Sequence, residues 1–253
     1  MSKRLEVLFA PAEFAALPGR DLSQTVCVVF DVLRATSTML TALANGAREI
    51  LPVLEVDEAL AIRSKRREVL LAGERNGLRI RADQTGGVDF DLGNSPREFT
   101  SAAVCGKSIV MTTTNGTRAL RACAAARSVL IGTFLGLKAL GHRLERDHPD
   151  NLLLVCSGTA DQTASEDILG AGALCEILWP HYVAGQMADS AVVARQIFLS
   201  AKMDLLGAME QSRNGNRLLG HPDLREDVEF CSRLDLFEIV AGLSGSGAVA
   251  RCT

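Results

Sequence analysis

Four short polar runs gather most of the residue types in this chain that can do chemistry. The first is Asp31-Val32-Leu33-Arg34-Ala35-Thr36-Ser37-Thr38. Its carboxylate can hold Mg²⁺ or act as a base, and its guanidinium can fork onto a phosphate or sulfonate. Thr36, Ser37 and the first N–H groups of a following helix can hold anionic oxygens. The same residues also make an ordinary helix start, with Asp31 paired to Arg34 and Thr36 or Ser37 as the cap.

The second run, Gly73-Glu74-Arg75-Asn76-Gly77, adds a carboxylate, as a solvated loop would. The third, Thr112-Thr113-Thr114-Asn115-Gly116-Thr117, joins hydroxyls to an Asn-Gly pair that tolerates left-handed backbone. It can form an anion-cradling nest or a plain turn with an N-cap. The fourth, Cys156-Ser157-Gly158-Thr159-Ala160-Asp161, leads to Glu166-Asp167. Those adjacent acids offer the hard oxygens that Mg²⁺ prefers, and equally suit the first turn of a helix.

Several phosphate chemistries are excluded. Gly106-Lys107-Ser108 ends like a Walker loop, but Ser101 stands where its first glycine belongs. After Cys156 and five intervening residues stands Gln162, not the arginine of a cysteine phosphatase. An aspartyl-phosphate enzyme of the D-x-D type needs an acid where Leu33 stands. No G-x-S-x-G elbow occurs, so Cys156 reads as a small strand-end residue.

The elements that must position these runs are legible from periodicity. Apolar, β-branched stretches predict strands near Leu5–Phe9, Val26–Phe30, Glu49–Val53, Val69–Ala72, Ser108–Met111, Val129–Ile131 and Leu152–Val155. Helical patterns fall between them, at about Thr38–Asn45, Glu58–Arg66, Thr117–Ala126, Phe134–Arg146 and Glu166–Leu178. The alternation predicts an α/β fold with a largely parallel sheet flanked by helices. The four runs would then meet beyond the carboxyl ends of the strands, where such sheets bind ligands.

Ser95-Pro96-Arg97-Glu98 has the form of a capped helix start. Gly73–Asn94 reads as an irregular or hairpin excursion too polar for the core. Asp189–Met209 and Asp223–Arg233 predict further helices, and residues 244–253 a flexible tail. The organisation expected is a single domain over 1–253, divisible into subdomains 1–130 and 131–243.

Composition bounds the function. With 253 residues, 47% hydrophobic, the chain can bury a full core. A net charge of −3 and only 4% aromatics argue against a nucleic-acid partner or an anionic membrane. No stretch approaches the roughly 20 apolar residues of a membrane span, and Met1–Ala10 lacks a secretory pattern. Seven scattered cysteines without a C-x-x-C pair suit reduced thiols, so a cytoplasmic location is expected and a zinc site is not.

Taken in order, Asp31–Thr38, Gly93-Asn94-Ser95-Pro96, Thr112–Thr117, Cys156-Ser157-Gly158 with Glu166-Asp167, and the stretch from Gly220-His221 to Asp235 resemble the 2-phosphosulfolactate phosphatase (ComB-like) family. The resemblance spans most of the chain, with Thr36-Ser37 where Ser-Thr is usual and Ser165 where an apolar residue is usual. It implies two subdomains with the site between them, and a homodimer. It implies Mg²⁺-dependent hydrolysis of a phosphate ester on a short sulfonated or carboxylated acid, a step toward coenzyme M in archaeal members. Carried over, it marks Asp31, Arg34, Glu74, Thr113 and Asn115 as catalytic. Arg34, Thr36, Ser37, Asn94, Ser95, Thr112, Thr114 and Gly116 would bind substrate, and Asp31, Glu74, Glu166 and Asp167 would hold the metal. Asp31 could instead attack phosphorus itself. A non-catalytic binder of phosphorylated anions on the same scaffold, or a phosphatase for another small phospho-acid, is the competing reading.

Overall fold

The computed structural model describes residues 4–182 and 186–252. Its ten strands are β1 (Arg4–Leu8), β2 (Thr25–Phe30), β3 (Glu49–Val53), β4 (Leu70–Arg75), β5 (Leu78–Arg79), β6 (Ser108–Thr112), β7 (Ser128–Gly132), β8 (Asn151–Cys156), β9 (Ala241–Leu243) and β10 (Val249–Arg251). They form one sheet in the order β1-β8-β2-β7-β9-β10-β3-β6-β4-β5. All seven strands expected from the sequence are present, and the fold is α/β with a mostly parallel, mixed sheet.

The sheet consists of two parallel blocks, β1-β8-β2-β7 and β3-β6-β4, bridged by the β9–β10 hairpin through antiparallel steps. The hairpin joins each block through a single registered pair, Leu130 with Gly242 and Val249 with Ile50. A junction that narrow leaves the blocks' mutual orientation to packing. Position 130 lies inside β7, and β1 and β2 share a block with β7 and β8.

Side-chain alternation feeds two cores. In β2, Val26, Val28 and Phe30 face one cluster while Cys27 and Val29 face the other, the period-two rule for a strand buried on both faces. The second cluster also takes Ile50, Ala72, Ile109 and Met111 from the other block. Between the blocks lie the helices Ala35–Ala44 and Gly116–Ala122, supplying Met39, Leu40, Leu43, Ala119 and Leu120. Ala35–Ala44 is buried nearly all round, as its evenly apolar sequence requires. Both helices begin at the strand ends that carry the first and third polar runs.

Four local expectations are corrected. The Ser-Gly run before the C-terminus is a turn, with the Ser244 hydroxyl donating to the Ala248 carbonyl. Val249, fully buried, then enters the sheet as β10, so the stretch expected as a tail is sheet up to Arg251; residue 253 lies outside the described residues. The Gly73–Asn94 excursion is part core: Ile80 and Phe90 are wholly buried against Val69, Leu71 and Val110. Ser95 does not cap, because its hydroxyl goes to Asp227 at 2.6 Å, and only a 3₁₀ turn, Pro96–Glu98, follows. The helix expected over Asp189–Met209 breaks into Asp189–Ala201 and Leu205–Glu210, because Asp204 caps the second piece by accepting from the Gly207 N–H.

No described helix is long and apolar enough to cross a membrane. All seven cysteines are free.

Candidate active site

The loop after β2 sets the first corner. Asp31 is buried, and its Oδ1 accepts the Ala35 N–H at 3.0 Å while its carbonyl accepts the Thr36 N–H. The first N–H groups of the helix are therefore spent on Asp31 itself and are not free for a ligand. Thr36 donates to the Gly132 carbonyl, and Ser37 donates to the Val32 carbonyl and meets Thr133. Both hydroxyls face inward and hold the helix in place, so neither is the anion ligand expected of it. The Leu33–Arg34 peptide is cis.

Arg34 is almost wholly buried. It donates to Asp227 Oδ2 at 2.6 Å and to the Gly77 carbonyl at 2.6 Å. Two of its five N–H donors are thus committed to structure. Asp227 is fully buried and also accepts from Ser95 (2.6 Å) and Arg97 (3.0 Å). Ser95 therefore holds this network and does not face the cleft.

The second block supplies the opposite wall. Asn76-Gly77 is the two-residue turn of the β4–β5 hairpin, with both φ angles positive as a type I′ turn requires. Glu74 pins that turn: Oε2 accepts the Gly77 N–H at 2.6 Å, and Oε1 accepts the N–H and hydroxyl of Thr114, both at 2.8 Å. Thr112 donates to the Leu54 carbonyl, and Thr113 accepts the Thr117 N–H. Gly116 is required by close approach, since a Cβ there would stand 2.7 Å from Asp31 Oδ2 and 2.7 Å from the Ala35 Cβ.

The fourth run closes the floor. Asp167 accepts from the Val32 N–H on one oxygen, and from the Gly158 N–H and the Ser157 hydroxyl on the other. It staples the β2 loop to the β8 loop and has no oxygen left free of protein donors. Glu166 is different. Its Oε1 accepts from Asn214 at 2.6 Å, while its Oε2 is buried without a partner. Asn94 Oδ1 and Asn115 Oδ1 are likewise buried and unpartnered. Orphaned buried oxygens are rare and call for an occupant.

Asp31, Arg34, Glu74, Asn94, Thr114 and Asn115 line one polar cleft of about 110 Å³, together with Thr159, Asn214 and Arg217. Electrostatics there is strained. Burial pushes the Asp31 carboxyl up to about 6, and the charges of Glu74 and Glu166 add to the rise against hydrogen bonds from Ala35 and Ser157. Burial, then Glu166 and Asp31, also raise Asp167 well above the carboxylate range. Crowded acids of this kind favour a bound cation. Among the described residues, no three His, Cys, Asp or Glu side chains converge as a closed ligand set. Mg²⁺ does not need one, since it keeps several waters and uses one or two carboxylates plus substrate phosphate. Burial, with Asp167 adding, drives the Cys156 thiol far up, as suits a packing residue.

Asp227, Asn214 and Arg217 were not picked out from the sequence as site residues. Asp227 lies in the C-terminal stretch that carries the family resemblance. Asn214 and Arg217 sit on the helix Arg213–Leu219, whose Asn-Gly-Asn content gives no helical signal.

A family model described as 2-phosphosulpholactate phosphatase matches residues 14–245. A protein of Caldanaerobacter subterraneus subsp. tengcongensis, named probable 2-phosphosulfolactate phosphatase, is 38% identical over 234 residues, covering 91% of this chain and 92% of its own. Proteins of the same name from Thermotoga petrophila (39%, 85% and 88% covered) and Pseudothermotoga lettingae (37%, 93% and 94% covered) are similar to it as well. With the match running through both blocks and every loop of the cleft, the chain belongs to the 2-phosphosulfolactate phosphatase family.

Proposed function

We propose that this protein is a phosphoric monoester hydrolase that releases phosphate from 2-phosphosulfolactate in the cleft at Asp31. The observation that carries this reading is the unpartnered, buried Glu166 oxygen, electrostatically coupled to Asp31 and Asp167 and joined through Asn214 to a cleft that Asp31, Asn94 and Asn115 also line. Family membership supplies the substrate class.

The residues fit a divalent cation. Glu166 would hold it, helped by Asn94 and Asn115 and by the charge of Asp31 beside it, and Glu74 and Asp167 would act as the staples that place them. When bound, Mg²⁺ supplies positive charge against the phosphoryl oxygens and offsets the acid cluster. Asn94 and Asn115 present either an oxygen or an NH₂ by rotation of the amide, so they can also donate to phosphate oxygens. Arg34 keeps three N–H donors beyond its two fixed bonds, and it faces the same space.

Asp31 keeps an oxygen beyond the one that accepts the Ala35 N–H, and through it would orient the attacking water and take its proton. The water oxygen bonds to phosphorus, the ester P–O bond breaks in line, and the leaving alkoxide takes a proton from solvent at the open mouth. Phosphate release from phosphosulfolactate, phospholactate, phosphoglycolate and phosphoglycerate, with and without Mg²⁺, tests the proposal. The expected order places phosphosulfolactate first and shows loss of turnover on chelation. No release from any ester in Mg²⁺ refutes it.

A further inference from the structure

Two guanidinium groups line the cleft, and they differ in kind. Arg34 is matched by the Asp227 carboxylate at 2.6 Å and held by the Gly77 carbonyl, so its position and charge are already committed. Arg217 is exposed and has no hydrogen-bond or ion-pair partner among the described residues. It rests over the Asn76-Gly77 turn, its Nη2 3.5 Å from where a Cβ on Gly77 would lie. Two neighbouring arginines, which do not line this cleft, are engaged instead, and Arg81 also lies outside it. Arg75 donates to Glu74, Leu54 and Thr112, and Arg79 donates to the Phe90 carbonyl.

The helix that carries Arg217 is firmly seated against the cleft. Ser212 caps it by accepting the Gly215 N–H at 2.9 Å. One turn before Arg217, Asn214 donates to Thr159 and to Glu166, and Arg213 donates to Gln162 and the Thr159 carbonyl. Positions three apart share a helix face, so Asn214 and Arg217 face the cleft together. Asn214 reaches the acid floor, and Arg217 stands over the hairpin wall opposite.

We propose that Arg217 is the specificity-determining residue of this cleft: it takes the second acidic group of the substrate, a carboxylate or sulfonate, while the phosphate lies at the Asp31–Glu166 end. The inference rests on the phosphatase reading for the phosphate only. A guanidinium matches the planar oxygens of a carboxylate, or two of a sulfonate, through paired N–H donors. A phosphate ester with an uncharged tail offers Arg217 no acceptor. The enzyme therefore selects phosphorylated acids over neutral phosphate esters at this one side chain, away from the reacting atoms.

The test compares wild type, Arg217→Gln and Arg217→Lys on phosphosulfolactate, phospholactate and 2-propyl phosphate. For Arg217→Gln, kcat/KM on the two acids falls about 10- to 100-fold, the range for one charge-assisted pair. On 2-propyl phosphate it stays within about threefold, and Arg217→Lys recovers part of the loss on the acids. Equal loss on all three esters, or no loss on any, overturns the proposal. Calorimetric titration with sulfolactate, which has no ester to cleave, is read alongside. Affinity that drops with Arg217→Gln supports the proposal, and affinity that does not change, or no binding to wild type, overturns it. If wild type cleaves no ester while sulfolactate binding depends on Arg217, the phosphatase reading fails and this inference stands.

Discussion

Replacing Asp227 by asparagine tests how the cleft is held together. The carboxylate is completely buried and accepts from Arg34, Ser95 and Arg97. Asparagine keeps the shape and one acceptor oxygen but removes the charge. Arg97 is one-third exposed, so water replaces most of what it loses. Arg34 is only 3% exposed and is left with neutral acceptors alone, so its cationic charge has no counter-ion. Breaking one side of a buried pair costs about 3–5 kcal/mol, and the retained oxygen places this variant near 3. Because Arg34 also braces the Gly77 turn, which Glu74 holds from the other side, the cost spreads to the cleft wall. The assay is a double-mutant cycle by urea denaturation, with Asp227→Asn, Arg34→Met and both. The expected result is a double variant at least 1.5 kcal/mol more stable than the sum of the single effects, since each single change leaves a buried charge and the double leaves none. Additive losses would show that the two side chains are not energetically coupled and would refute the bracing role.

Three further outcomes are expected. Gly116→Ala forces a methyl to within 2.7 Å of Asp31 Oδ2 and the Ala35 Cβ, so it should cost about 1–3 kcal/mol in a denaturant titration and displace the carboxylate. Unchanged stability and turnover would contradict that packing. Asp31 gives a pH signature: its native value of about 6 exceeds the ordinary 3.8, so the native state holds a proton that the unfolded chain has already released between about pH 4 and 6. Stability without divalent cation should therefore fall as pH rises through that window, by roughly 3 kcal/mol from Asp31, with Asp167 adding a fall of the same sign, and Asp31→Asn should make the fall smaller, both read from urea midpoints against pH. Asn214→Ala removes the donor to Glu166 Oε1 while Oε2 already has none, so it should lower stability by about 1–3 kcal/mol in EDTA, with Mg²⁺ recovering part of the loss in thermal melts.

Much of the fold was legible because burial on both faces leaves a strong mark. Strands such as Val26–Phe30 and Leu152–Val155 are apolar throughout and bounded by polar runs, which separates them from helices. The β9–β10 hairpin was missed because three-residue strands carry no period, and the Ser-Gly turn between them has the composition of a flexible linker. The site was legible in its loops but not in its roles. Asp31, Glu74, Asn94, Thr114 and Asn115 come to the cleft, and Glu166 meets it through Asn214. Thr36, Ser37, Thr112, Ser95 and Asp167 are of equally suitable type, yet their polar atoms are spent on other parts of the protein. Sequence shows which groups a residue carries; which of those groups stay free depends on distant contacts, 43 and 193 residues away for those of Arg34 with Gly77 and Asp227. Arg217 shows the reverse case, a surface-type residue that the fold carries to the cleft mouth.

The most direct measurement is phosphate release from 2-phosphosulfolactate in Mg²⁺ by wild type and by Asp31→Asn, each checked for folding by its melting temperature. Asparagine can still accept the Ala35 N–H but can neither take the proton nor contribute charge to a cation. The account predicts Mg²⁺-dependent release by wild type and a loss of at least about 100-fold in the variant, the lower range for removing a general base. It also predicts a variant melting temperature equal to or above that of the wild type at pH 8 in EDTA. Full activity in a folded Asp31→Asn protein would contradict the assignment of the reaction to this cleft.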